Sequence, residues 1–403
     1  MQTSRNYISK TVFLISLIIV LMTLTAIVFP GLYHYLFGNY PVPFQTPYEI
    51  GHQAFLLIGS NIAIFSFGII YYKNKVPALT LQINKLRQFE ISKKISIIII
   101  LIILGIYSGL STPELFLDES EQWADYAILE DALELWPDGK TDNPYIAEQL
   151  DRYVRMGLID ASQKIFNNVK ILPFFASILV IFFTYQITVQ FTGKRFAGII
   201  SMLVLLQSHI FLTFDTVAVY ENFWVLFYMI SLYAVRKKWI LSPIFYILAV
   251  FTKAYVTPFL VMTLYSAYRS EIQKRKKYFI FASYIGIICI SAGIVFFGES
   301  IYANVVEINY SKFFLGFADT AIQFRYDIFF LVMLLPVTVG LYVLSKNTYN
   351  TDIIHSLIAG TIIFGPMLVM STYFYEILPY RYVPTLVFFS IGIAMFFSKK
   401  KTK

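Results

Sequence analysis

The sequence predicts an all-α polytopic membrane protein with about 12 membrane segments, two of them short, and an amphipathic helical outer loop. Three observations lead there. Of 403 residues, 58% are hydrophobic and only 14% charged, where a soluble domain carries about 25% charged residues. The apolar residues fall in continuous runs of the ~20 residues that a helix needs to span a bilayer. Those runs do not alternate apolar with polar, which excludes a β-barrel, the other architecture that satisfies its backbone inside lipid.

The first run, 11–30, has no small-x-small cleavage site and continues into Pro30-Gly31-Leu32-Tyr33, so it reads as a retained span, an uncleaved signal anchor. Further spans follow at 54–72, 93–111, 171–191, 195–214, 219–235, 279–297, 328–345, 353–370 and 382–398. Between them, 240–251 and 255–268 are two shorter apolar pieces separated by Thr252-Lys253-Ala254. At ~1.5 Å of rise per residue neither crosses a bilayer alone if straight.

Charge orients the spans. Arg5, Lys10, Lys73, Lys75, Lys85, Arg87, Lys93 and Lys94 fall in short loops or ends, which the positive-inside rule assigns to the cytoplasm. The same holds for Lys194-Arg195, Arg236-Lys237-Lys238, Arg269, the basic run 274–277, Lys346 and the tail 399–403. Loops 31–52, 112–170, 215–221, 298–327 and 371–381 then fall outside. Both flanks of 240–268 are basic, so this piece crosses an even number of times: it is a helical hairpin, and both termini lie inside. The chain thus divides into two additional N-terminal spans with a basic loop (1–92), a transmembrane module (93–398) and a basic tail (399–403).

The net charge of +8 does not indicate nucleic acid, because the basic residues follow membrane topology. The one cysteine, Cys289, reads as a small buried apolar residue. His34, His52, His209 and His355 form no metal-ligand spacing, and His209 reads as structural. No metal site and no cofactor is indicated, and a divalent-cation requirement stays open. Asn309-Tyr310-Ser311 is a sequon of low specificity. No Walker loop, G-x-G-x-x-G or H-E-x-x-H occurs.

The outlier is the loop after the 93–111 span. From 112 to 160 it holds 13 of the 24 Asp and Glu residues, against Lys140, Arg152 and Arg155. Trp123, Tyr126, Leu129, Leu133 and Trp136 supply interfacial surface, which suits helices lying on a membrane face. The loop opens with Asp118-Glu119, a carboxylate pair where a membrane enzyme would hold a general base. Lys253, alone among apolar residues at the hairpin tip, either binds an anion such as a lipid phosphate or snorkels to the interface. Arg381 opens the last span on the outer side, against the topological bias; it either binds phosphate or pairs with Glu376. Asp215 and Glu221 lie in the short outer turn F-D-T-V-A-V-Y-E-N-F-W. Arg325 and Asp327 read as a salt-bridged scaffold.

In this order the motifs resemble the GT-C superfamily of integral-membrane glycosyltransferases, in particular the branch of the protein O-mannosyltransferases and aminoarabinose transferases. The matching residues are F-L-D-E-S-E-Q-W at 116–123, I-L-P-F-F-A-S-I-L at 171–179, Y-Q-I-T-V-Q-F-T-G-K-R-F at 185–196, F-D-T-V-A-V-Y-E-N-F-W at 214–224, F-T-K at 251–253 and L-P-Y-R-Y-V-P at 378–384. The likeness covers roughly 93–398. Two departures stand out: the spans at 11–30 and 54–72 precede the span that would be first, and no sizeable soluble C-terminal domain follows. The resemblance implies inverting transfer of a sugar from a polyprenyl-phosphate donor to a hydroxyl of a protein, lipid or glycan acceptor. It makes Asp118 the base, with Glu119 beside it orienting the acceptor or substituting in the role, and a cation such as Lys253 or Arg381 would stabilise the leaving phosphate; Asp215 and Glu221 are further candidate substrate-binding residues or a salt-bridged scaffold. Two other readings compete: a flippase or transporter of a lipid-linked glycan, whose charges would line a path through the bilayer midplane, and a scaffold, whose outer loop would expose an apolar patch.

Overall fold

The computed structural model describes residues 2–38, 46–297, 309–345, 351–372 and 378–398. Among the described residues it is all-helical, without strands, and seven helical stretches are long and apolar enough to cross a membrane. These are Tyr7–Val28, Ala54–Tyr72, Lys93–Phe116, Ile171–Thr192, Ile328–Ser345, Thr351–Ser371 and Pro379–Phe397. Glu376, Lys346 and the tail 399–403 lie outside the described residues.

The N-terminal part is α1 (Gln2–Val28), α2 (Pro30–Phe37), α3 (Ala54–Tyr72), the surface helix α4 (Pro77–Gln88) and α5 (Lys93–Ser111). Ser92 caps α5 by accepting from the Ile95 N–H. The acidic loop folds into a 3-10 turn, Thr112–Phe116, and then α6 (Tyr126–Leu135), α7 (Pro144–Leu150) and α8 (Tyr153–Phe166). α8 ends at Asn167, a residue type that tolerates the left-handed φ of 52° found there.

The long α9 (Ile171–Thr192) closes at Gly193, whose φ of 70° turns the chain into α10 (Arg195–Leu205). The two helices pack at backbone distance: a Cβ on Gly198 would come within 2.5 Å of Tyr185 Cδ2.

Here the structure departs from the expected spans. The expected 195–214 helix stops at Leu205, and a separate short α11 (His209–Thr213) follows, capped by Ser208. The next helix, α12 (Phe223–Lys237), begins at 223 rather than 219. The residues between are held out of helix by Asp215, Thr216 and Asn222, whose side chains bond Ser111 at the end of α5, Glu114 in the 3-10 turn and Ser177 in α9.

The 240–268 region turns back on itself. α13 (Leu241–Thr252) stops at Lys253, a 3-10 turn covers Ala254–Phe259, and α14 (Leu260–Arg269) returns. Two hydrogen bonds fix the reversal. Tyr246 donates to the Thr257 carbonyl at 2.7 Å, and Arg236, at the end of α12, reaches Ser270 at the end of α14 at 3.3 Å. The entrance and exit of the piece are therefore neighbours and Lys253 is at its far tip.

α15 (Lys274–Phe297), α16 (Tyr310–Gln323), α17 (Ile328–Ser345), α18 (Thr351–Ile362), α19 (Leu368–Thr372) and α20 (Val383–Ala394) complete the chain. α18 and α19 join through a π turn around Pro366, an imino acid that removes one helical donor. α20 is the buried centre, with every residue from Val383 to Ala394 inside. Cys289 corrects its expectation: it is exposed on α15.

Contacts sort the helix ends into two sets. Arg87 donates to the Phe396 carbonyl, Lys194 to the carbonyls of Arg87 and Phe89, and Arg269 pairs with Asp352 and reaches Ser9. Phe13 stacks on Tyr342, two residues from Gly340, against which Phe396 packs. The basic turns thus share one end of the bundle. The acidic loop, the hairpin tip and the 206–222 segment share the other.

Candidate functional site

The site is organised around the segment Phe214–Asn222, which joins α11 to α12 and whose backbone polar groups are taken up by side chains. The Glu119 carboxylate accepts from the consecutive N–H groups of Ala218 (2.8 Å) and Val219 (2.9 Å). Arg155, from α8, donates to the carbonyls of the same two residues at 3.3 and 3.0 Å. Both faces of one dipeptide are thereby clamped, one by the start of the acidic loop and one by its end. Arg155 also donates to Glu221 Oε2 at 2.9 Å, and both side chains are fully buried. Ser177 Oγ donates to the Asp215 carbonyl at 2.7 Å and accepts from Asn222 Nδ2 at 3.0 Å, tying the segment to α9.

The pair Asp118-Glu119 separates into two environments. Asp118 is exposed and its carboxylate accepts from the Ser120 N–H (2.9 Å) and hydroxyl (2.7 Å). The Ser120 hydroxyl, then its N–H, hold the Asp118 carboxyl below the usual range. Glu119 is 2% exposed; burial pushes its carboxyl up, opposed by the Val219 N–H and Lys170. Its second oxygen, Oε2, is buried without a hydrogen-bond partner. Lys170 fixes the pair in space by donating to the carbonyls of Glu114 (3.0 Å) and Leu117 (2.8 Å).

Asp215 is buried and accepts from Ser111 at 2.9 Å, at the junction of α5 and the acidic loop. Burial raises its carboxyl to about 7, with the Glu114 charge adding and the Ser111 bond opposing.

The cationic part lies on the other side of the segment. Tyr220 stacks on Tyr380 with centroids 4.9 Å apart, and the Lys253 ammonium sits 4.0 Å from the Tyr380 ring centre. Lys253 is 3% exposed and its Nζ is buried with no hydrogen-bond partner, so it does not snorkel. The Arg381 guanidinium carbon lies 5.6 Å from the Tyr380 centroid and 5.9 Å from that of Tyr255. Trp123 and Phe214 complete an aromatic wall, Trp123 lying 5.3 Å from Phe214 and 5.1 Å from Tyr220.

Among the described residues, buried side-chain atoms without a hydrogen-bond partner gather at this end, on Glu119, Trp123, Glu221, Asn222, Trp224, Lys253 and Tyr255. Buried polar groups in proteins are nearly always satisfied, so this concentration, unlike scattered single cases, is the signature of a polar ligand or water site.

All six candidate residues therefore fall at one end of the bundle. Lys253 and Arg381 share Tyr380. Glu119 and Glu221 are bridged through Arg155 and the 218–219 backbone. Asp215 faces Ser111 instead, and Asp118 faces solvent. Arg325 and Asp327 form no pair: Asp327 accepts the N–H groups of His209 (2.9 Å) and Ile210 (3.1 Å), capping α11, which gives His209 its structural role. Tyr380 and Tyr220 were missed, although both lie within the quoted motifs. Arg155 reads in the sequence only as a countercharge of an acidic loop, and Lys170 does not stand out there. Among the described residues no group of three or more His, Cys, Asp or Glu side chains is placed to hold a metal ion. No protein-family model, curated protein or solved structure matches the chain.

Proposed function

We propose that this protein is a membrane glycosyltransferase that moves a sugar from a polyprenyl-phosphate donor to an acceptor hydroxyl with inversion. One observation carries the reading: a buried ammonium, Lys253, with no hydrogen-bond partner, held over Tyr380 beside Arg381. An unpaired buried charge is costly, and an anion between Lys253 and Arg381 removes that cost. A lipid phosphate is such an anion and arrives at the membrane depth where helix tips end.

In the reaction the acceptor oxygen attacks the anomeric carbon from the face opposite the phosphate. The carbon–oxygen bond to phosphate breaks, its electron pair leaves on the phosphate, and Asp118 takes the acceptor proton. Lys253 and Arg381 stabilise the charge that develops on the phosphate, the type of electrostatic contribution that dominates many enzymes. Glu119 is a positioning residue, holding the Ala218–Val219 backbone and hence Tyr220 and Glu221. Energy comes from the phosphate-linked sugar, so no nucleotide motif is required. A flippase gains less support, because buried acids and bases gather at the two bundle ends rather than along the middle.

The topology that fits is 12 membrane segments, with the shorter α10, α12, α13 and α14 and the 24-residue α15 added to the seven long stretches. The basic end is cytoplasmic by the positive-inside rule, so the transferase site is extracytoplasmic and α6 to α8 rest on the outer membrane face. The additional N-terminal spans, 1–92, pack beside the GT-C-like module 93–398.

The test is donor consumption by purified protein supplied with labelled polyprenyl-phosphate sugars, with Asp118→Asn as control. Turnover by the wild type that falls ~100-fold or more in the variant is the expected result. Equal turnover in a folded Asp118→Asn protein overturns the assignment of the base, and unchanged donor affinity in Lys253→Ala overturns the phosphate role.

A further inference from the structure

α4 contains no buried residue, yet it joins α3 to α5, two helices long and apolar enough to cross a membrane. Its polar side is pinned. Asn84 Oδ1 accepts from the Tyr71 hydroxyl at 2.9 Å, and Arg87 donates to the Phe396 carbonyl at 3.1 Å and to Tyr71 at 3.2 Å. α4 is thereby fixed across the basic end of the bundle, against the ends of α3 and of the last helix.

The other side is open. Leu81 and Lys85 stand four residues apart, which puts them in one row along a helix face, and Phe89, just past the helix, packs edge-on against Phe196. Leu81 is 58% and Phe89 49% exposed, and Leu86 beside them 50%. Basic residues surround this row: 73–94 holds Lys73, Lys75, Lys85, Arg87, Lys93 and Lys94 against the single acid Glu90. Glu90 is already engaged, accepting from the N–H groups of Ile91 (3.1 Å) and Arg195 (3.0 Å). Among the described residues none of these lysines forms an ion pair.

We infer that α4 is an interfacial helix that binds the headgroups of anionic phospholipids, with Leu81 and Leu86 at the acyl boundary and Lys73, Lys75 and Lys85 on the phosphates. Three arguments select this occupant. The helix is spliced between two spans, so its ends cannot leave the membrane surface. Its open row mixes large apolar side chains with an ammonium, the composition that lies in a headgroup layer. The charge is strongly one-sided, complementary to an anionic leaflet and indifferent to a neutral one.

The experiment is native mass spectrometry of the full-length protein in detergent, titrated with phosphatidylglycerol or phosphatidylcholine. The wild type is expected to retain phosphatidylglycerol in preference. Lys73→Gln/Lys75→Gln/Lys85→Gln is expected to lose that preference, by roughly fivefold per lysine. Lys274→Gln/Arg275→Gln/Lys276→Gln, exposed basic residues at the same end but outside α4, is expected to keep it. Equal retention of the two lipids by the wild type, or equal loss in both triple variants, overturns the proposal. A second measurement does not depend on the lysines. A polarity-sensitive label at Leu81→Cys, in a Cys289→Ala background, is expected to emit as in an apolar medium in phosphatidylglycerol vesicles. Emission as in water, the result also expected if a soluble protein covers the row in the cell, overturns it. Neither readout involves sugar transfer, so the outcome is independent of the transferase reading.

Discussion

Arg155→Ala is the substitution with the largest expected structural effect. The guanidinium is fully buried, donates to Glu221 at 2.9 Å and holds the carbonyls of Ala218 and Val219. Its removal leaves the Glu221 carboxylate at 0% exposure with neither oxygen paired, since Oε1 has no partner to begin with. Breaking a buried pair in this way costs about 3–5 kcal/mol. Unfolding entropy of ~2.1 cal/mol/K per residue over 403 residues converts that into a fall in Tm of about 4–6 °C. The measurement is intrinsic-fluorescence melting of the detergent-solubilised protein. The double variant Arg155→Met/Glu221→Gln removes both charges and is expected to melt above Arg155→Ala, because no uncompensated charge remains. A Tm for Arg155→Ala within ~1 °C of wild type, or a double variant that melts lower still, refutes the account of this pair as the keystone of the 214–222 segment.

Three further outcomes follow from the same geometry. Lys253→Met is expected to raise the Tm of the ligand-free protein by about 1–3 °C, since an unpaired buried ammonium is replaced by an apolar chain of similar volume, and to abolish the stabilisation that added polyprenyl phosphate gives the wild type; melting curves with and without the lipid check both. Asp118→Asn is expected to leave Tm within ~1 °C, because the side chain is exposed, whereas Glu119→Ala is expected to lower it by about 2–4 °C by orphaning two N–H groups of a charged hydrogen bond, worth ~1.5–3 kcal/mol. Asp215 sets a pH dependence: burial raises its carboxyl to about 7 from the ordinary 3.8, so between these values the folded state holds a proton that the unfolded state releases. Stability is therefore full below the lower value and falls as pH rises towards 7, at no more than about 1.4 kcal/mol per pH unit. Melting from pH 5 to pH 8 is expected to show that slope in the wild type and to lose it in Asp215→Asn.

The long apolar stretches were readable in the sequence because a span is a local property: ~20 residues of one kind specify it without reference to neighbours. The reversal of the chain at 240–268 agrees with the hairpin expected from its basic flanks, through the Arg236–Ser270 and Tyr246–Thr257 bonds. What local reasoning extended too far were the helices on either side of 206–222. Apolar composition continues through Phe211, Leu212, Phe214, Val217 and Val219, but Ser208, Asp215, Thr216 and Asn222 find partners far away in the chain, and those bonds override helix propensity. Asp118 and Glu119 read as equivalent in sequence because adjacent residues share composition. Their difference in burial is set by residues ~100 positions downstream, where the 218–219 N–H groups select one carboxylate of the two. Arg155 escaped for the same reason: a single arginine among many acids reads as countercharge until its partners are seen.

In the proposed transfer, the base Asp118 and the cation Lys253 stand in different environments, and that difference restricts the reaction proposed. Asp118 meets solvent, while Lys253 is enclosed beneath Tyr380. Between them stand only protein links: Glu119 to the Ala218–Val219 backbone, that backbone to Tyr220, and Tyr220 stacked on Tyr380. A reaction between two dissolved substrates would have no use for a cation enclosed at the helix tips, and a reaction between two membrane lipids would have no use for a base facing water. One substrate that enters from solution and one that enters from lipid use both. In the proposed transfer the stacked rings of Tyr220 and Tyr380 link the two environments, so replacing either ring by leucine is expected to weaken transfer without unpairing Arg155 from Glu221. A Tyr220→Leu protein with full turnover would refute that link.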